Sequence, residues 1–294
     1  MTRRPGWRAA LFAAAMALGL AGGGPAAATP PIWIVRSPKA TLVLFGSVHL
    51  LPAGLDWRPA ALDDAVAKAS ELWFELPIDP ATETQAAQIA IARGALPKDR
   101  RLSALLTPAQ LARLDEAAAA LNCPPAALDR MQPWMADLTL SVADDVRGGA
   151  NASDGVEEQV QARAPPSVPR HAFETAAQQI EFLAGAPIPD QVASLNATVG
   201  EIDDDPGAYQ RIVSEWMAGD LAGLQRDAVD PEARASPGLY ERLIGQRNRR
   251  WARILGARLR SPGQVVVVVG VGHMVGPQGL PALLRAQGFQ VEGP

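Results

Sequence analysis

Two histidines stand in matching settings. Gly46-Ser47-Val48-His49 follows the apolar run 41–45, and Gly270-Val271-Gly272-His273 follows five consecutive valines at 265–269. The chain has three histidines, so two of them fall three residues after a glycine that closes an apolar run. Such short β-branched runs read as buried strands. The glycine permits a sharp turn that folds the next residues back over the strand end. In open α/β sheets, ligands bind beyond the carboxyl ends of the strands. Turns of this kind on neighbouring strands would bring His49 and His273 together. Two neutral imidazoles make half of a site for zinc, manganese or cobalt, and carboxylates would complete it with one position open for water. A plainer reading stays open, in which each histidine caps a helix or makes a core hydrogen bond.

The carboxylates can be sought by the same logic. Glu75 ends the run "ELWFEL" between Trp73, Phe74 and Leu76, and a carboxylate in so apolar a setting needs a partner. It also falls at a strand's carboxyl end. Glu174, in "HAFETAAQQ", precedes a helix, where a negative charge is favourable in any case. Arg247 interrupts an apolar helical stripe made of Tyr240, Leu243, Ile244, Trp251, Ile254 and Leu255. It either reaches outward along its stem or pairs in bidentate fashion with a buried carboxylate. Asn248 lies beside it. His171 has no glycine turn and reads as structural. Cys123 reads as a small apolar residue and Trp216 as core. There is no Gly-x-Ser-x-Gly elbow, and "GVGHMVGPQG" lacks phosphate-loop spacing.

The elements that must position these groups follow from periodicity. Residues 32–35 and 41–45 read as a hairpin, 71–76 as a strand after a short helix, and 264–269 as a strand after a long helix that begins at Tyr240. Thr107-Pro108-Ala109-Gln110 carries a capping box with proline in the first turn, and "HAFETAAQQIEFLAG" reads as a short strand or extended entry followed by a helix capped near Thr175. A last helix, 279–288, and a short strand, 289–292, close the chain. Strands thus gather at the two ends and helices fill the middle. The expected fold is α/β with an α+β flavour: a small mixed sheet from the N- and C-terminal parts, flanked by many helices. Residues 29–294 are expected to form one domain with a helical insertion at about 80–230.

Residues 1–28 read as a secretory signal peptide. Arg3, Arg4 and Arg8 precede a short apolar stretch and a small-residue cleavage site near Ala28. A periplasmic or secreted protein is expected, with no stable membrane insertion after cleavage. The net charge of −4 becomes −7 without those three arginines, since the segment has no acidic residue. So acidic a chain is a poor partner for nucleic acid. A single cysteine excludes an internal disulfide.

The ordered motifs "GSVH", "ELWFEL", "QPWMADL", "SDGVEEQV", "FETAAQQIEFL", "WMAGDL", "ERLIGQRNRRWA" and "VVVGVGHMVGPQGLPALLRAQGFQV" resemble the TraB/PrgY/GumN family, whose relatives include the Tiki proteases. The resemblance implies a fold similar to the erythromycin-esterase and ChaN-like group. It also implies a divalent metal held by His49, His273 and Glu75. Glu174, Gln179, Arg247 and Asn248 match further family positions. The functional expectation is an exported metal-dependent hydrolase, a peptidase in the first instance, acting on a peptide or small molecule. Glu75 would serve as ligand or general base, and Arg247 and Asn248 would orient it or stabilise an oxyanion. Two alternatives stay open: a metal-independent, esterase-like hydrolase with a histidine base, and a non-catalytic binding protein.

Overall fold

A strand of five valines hides both faces only inside a sheet covered on two sides. The computed structural model, which describes residues 29–151 and 154–294, places it there. Residues 1–28, read from the sequence as a signal peptide, lie outside the described residues. The strands are β1 (Ile32–Arg36), β2 (Ala40–Ser47), β3 (Leu51–Pro52), β4 (Glu71–Phe74), β5 (Ala150–Asn151), β6 (Arg170–Ala172), β7 (Gly263–Gly270) and β8 (Gln290–Glu292). Six of them form a mixed sheet in the order β6-β4-β7-β2-β1-β8, and β3 pairs with β5 in a small second sheet.

The valines of β7 are fully buried and alternate between two cores. Val266 and Val268 join Val43, Phe45, Leu72 and Phe74 on one face, under Trp57 and Trp216. Val265, Val267 and Val269 join Leu42 and Leu44 on the other, against Trp251 and Leu255. A third core, with Leu102, Leu114, Leu140 and Leu195, holds the helical middle together apart from the sheet. The expected mixed α/β architecture is therefore found. Both capping boxes are also present, at Thr107/Gln110 and Thr175/Gln178.

Two details differ from the sequence reading. First, the sheet is not built from the chain ends alone, because β6 comes from the helical middle and pairs in parallel with β4. Its three residues are too few to show a periodicity of their own. Second, the long helix before β7 is interrupted. A π turn at Glu241–Gly245 separates Pro237–Tyr240 from Gln246–Arg258. A π turn inserts a residue into the helical register, so Leu243 and Ile244 are only half-buried, whereas Arg247, Asn248, Trp251, Ala252 and Leu255 face inward.

Four adjacent strands, β6, β4, β7 and β2, run parallel. Their carboxyl ends line one edge of the sheet, with Ser47 level with Gly270 and Ala172 level with Phe74. At Gly46 the β2 turn passes so close to the β7 turn that an added Cβ would lie 3.0 Å from Val271 Cγ2 and 3.1 Å from its Cα. The Gly46 carbonyl accepts from Trp216 Nε1 at 2.8 Å, which locks the turn to a helix. Gly46→Ala should destabilise the fold by about 1–3 kcal/mol through overpacking. Urea unfolding followed by tryptophan fluorescence would measure it; an unchanged midpoint would show that the turns are not in close contact.

Candidate active site

Each of the four parallel strands delivers one candidate side chain to the same edge. Glu174 follows β6, Glu75 follows β4, His273 follows β7 and His49 follows β2. Two backbone hydrogen bonds extend the β4–β6 pairing beyond its last rung, from Phe173 N to Phe74 O and from Glu174 N to Glu75 O, each at 3.0 Å. They place the two glutamates side by side.

Arg247 enters from the helix behind. Its Nε donates to Glu174 Oε1 at 2.9 Å, and its Nη2 donates to Glu75 Oε2 at 2.5 Å and to Glu174 Oε2 at 2.9 Å. Its Nη1 donates to Leu243 O at 3.0 Å and to His273 Nε2 at 3.1 Å. All five guanidinium protons thus have acceptors. The group lies 4.7 Å from the Trp251 ring centre and 5.4 Å from that of Phe182, and the residue is only 6% exposed.

Asn248 sets the state of His273. Its Nδ2 donates to the carbonyls of His273 and Gln278 at 3.2 and 2.7 Å, so its Oδ1 is the free acceptor. That oxygen lies 2.6 Å from His273 Nδ1, which therefore carries the proton. Nε2 is left with a lone pair, directed at Arg247. Glu75 Oε1 accepts from the Gly270 N–H at 2.8 Å, while Gln179 Nε2 donates to Oε2 at 3.4 Å. Trp251 Nε1 donates to Glu174 Oε1 at 3.1 Å.

His49 stands at the solvent edge of this buried group, with 62% of its side chain exposed. Its Nδ1 lies 2.7 Å from Glu157 Oε1, and the buried Ser47 hydroxyl donates to that same oxygen at 2.5 Å. Its Nε2 turns toward Gly270. A Cβ built on that glycine would lie 3.0 Å from His49 Nε2 and 3.3 Å from Glu75 Oε1. The two groups therefore approach the same side of the Gly270 backbone, too closely for a side chain to fit there without displacing them.

The charges follow from these contacts. Burial pushes the His273 imidazole down to about 3, against the pull of Glu75, so the ring is neutral at ordinary pH. Burial opposes the Glu75 charge, but Arg247, His49 and the Gly270 N–H hold its carboxyl well below the usual range. Since His273 is neutral, Arg247 is the buried cation that keeps Glu75 ionised near pH 7. Burial outweighs Arg247 at Glu174, whose carboxyl is pushed up. Glu157 raises the His49 imidazole to about 9, with burial working in the opposite direction; solvent at the exposed ring moderates this attraction.

The match to known proteins covers this whole arrangement. The model of the TraB/PrgY/gumN family matches residues 31–293. The chain belongs to that family. Among its relatives is a protein of Escherichia coli (strain K12), described as uncharacterized protein YbaP, which is 26% identical over 258 residues and spans 87% of this chain and 92% of its own length. A Shigella flexneri protein of the same description is 26% identical over 244 residues, covering 82% and 87%. No solved structure matches.

Every site residue expected from the sequence lies at this edge, but the donors are not arranged as a three-ligand metal centre. Both nitrogens of His273 are engaged, one by Asn248 and one by Arg247, and a guanidinium occupies the middle of the carboxylates. Among the described residues, no group of three or more His, Cys, Asp or Glu side chains is arranged to hold a metal ion. Asn248 directs its amide at His273 and two carbonyls. His171 stacks on Trp73 and lies 3.1 Å from Glu71, in keeping with a structural role. Sequence reasoning gave no role to Glu157 or Ser47. Glu157 sits next to Glu158 in the first turn of the helix Val156–Arg163, where either reads as a dipole partner, and only the fold shows which one meets His49.

Removing the guanidinium would take the buried counter-charge from Glu75 and leave Glu174 only the more distant Arg250, 3.5 Å away. Arg247→Met should cost about 3–5 kcal/mol at neutral pH. Its deficit should narrow as pH falls, because the stranded carboxyls then fold as neutral acids. Urea unfolding at pH 7 and pH 4.5 checks both points; a loss below about 1 kcal/mol at pH 7 would mean that the carboxylates are not held by Arg247.

Proposed function

We propose that this chain is a hydrolase of acyl bonds, in which His49 is the general base and the attacking water is held by His49 Nε2 and Glu75 Oε1. The observation that carries this reading is the direction of the His49 nitrogens. Nδ1 is held by Glu157, and Nε2 lies on the same side of Gly270 as Glu75 Oε1. A carboxylate on Nδ1 fixes the tautomer with the proton on that nitrogen and stabilises the imidazolium that forms, as in acid–histidine pairs of other hydrolases. Nε2 then takes a proton from water as the water oxygen adds to the substrate carbonyl. The resulting imidazolium returns that proton to the leaving oxygen or nitrogen as the acyl bond breaks. Glu75 is an acceptor for the second water proton and fixes the water's position. Arg247 keeps Glu75 ionised and acts as a positioning residue. A metal-dependent version of the reaction would require Arg247 to release His273.

His49→Ala should lower hydrolysis by about 100-fold or more, read on a panel of chromogenic esters and fluorogenic peptides. The base must be neutral to act, and Glu157 raises its pKa. The rate should therefore rise with pH along a limb placed above the ordinary histidine value of about 6.5. Glu157→Gln should move that limb toward lower pH and slow the reaction. A limb that stays in place in Glu157→Gln would rule out His49 as the base, and full activity in His49→Ala would end the proposal.

A further inference from the structure

We infer that Arg247 takes, as a permanent guanidinium, the place of a divalent cation among His273, Glu75 and Glu174, so that the native site excludes metal rather than binding it. Lone pairs and charge at His273, Glu75 and Glu174 exclude the cation whether or not the chain is a hydrolase. A cation bound by His273 would use Nε2, because Asn248 accepts the proton on Nδ1. That lone pair faces a proton of Arg247 Nη1 at 3.1 Å. A cation shared with the glutamates would also meet a positive group already bonded to both carboxylates, at 2.5 Å from Glu75 Oε2 and 2.9 Å from Glu174 Oε2. What stays free is His49 Nε2 and one flank of Glu75 Oε1, beside Gly270. Two donors fall short of the three protein ligands of an open zinc site. The guanidinium itself is not easily displaced, with all five protons accepted and Trp251 beneath it.

Once the guanidinium is removed, the His273 lone pair, Glu75 Oε2 and Glu174 Oε2 face one vacated volume. Arg247→Met should then bind Zn²⁺, Mn²⁺ or Co²⁺ at one equivalent, tighter than the native protein by about 100-fold or more, because a repelling charge in contact with the site is gone. The experiment is calorimetric titration of the tag-free mature protein with each metal salt, beside Arg247→Met and Arg247→Met/His273→Gln, with thermal unfolding recorded with and without metal. The native protein should bind weakly and keep its melting temperature. The single variant should gain both affinity and melting temperature, and the double variant should lose the gain. Stoichiometric binding by the native protein that His273→Gln abolishes would overturn the inference. So would a folded Arg247→Met that binds no better than native. If Arg247→Met does not fold, the titrations of the native protein and of His273→Gln decide alone.

Discussion

The site depends on one buried positive charge. Two glutamates that leave adjacent parallel strands would repel each other and lose their hydration in the apolar layer between Trp251 and the sheet. Arg247 reconciles them with burial. Its planar fork meets both carboxylates, and its remaining protons reach a carbonyl and an imidazole. Replacing such a group by a lysine would keep the charge but not the fork. A buried ion network of this kind is weak evidence for stability. Its effect is on states of charge: it leaves Glu75 ionised and gives the His273 lone pair a donor.

The sheet makes the network reachable. Parallel neighbours β6, β4, β7 and β2 end on one edge, so residues more than two hundred positions apart meet without any long loop having to be ordered. Glycines complete the geometry at two points. Gly46 lets the β2 turn pass against the β7 turn, and Gly270 supplies a backbone N–H to Glu75 while letting His49 Nε2 and Glu75 approach the backbone closely. The π turn before Gln246 sets the phase of the helix that presents Arg247 and Asn248 to the interior.

Much of this was legible in the sequence, for identifiable reasons. Five valines between two glycines leave little alternative to a central strand, and the two Gly-x-x-His turns announce adjacent strand ends. Glu75 among aromatic residues and Arg247 in an apolar stripe each require a partner, and they turn out to be partners of each other. The histidines' surroundings were not legible. Pattern reading treats His49 and His273 as equivalent, yet one is exposed and paired with a carboxylate while the other is buried, neutral and bonded to an amide. The difference arises from Glu157 and Asn248, which reach the histidines only through the fold. The edge strand β6 was at most suggested by sequence, because three residues next to a proline carry no period.

The central claim is that Arg247 and Asn248 fix His273 as a neutral ring with its proton on Nδ1. Nitrogen–proton correlation NMR of the imidazoles, recorded between pH 5 and pH 8, tests this directly. His273 should show Nδ1 protonated and Nε2 unprotonated across the whole range, with no titration, since burial has carried its pKa down to about 3. A ring that titrates near the ordinary value of about 6.5, or one that carries its proton on Nε2, would contradict the account.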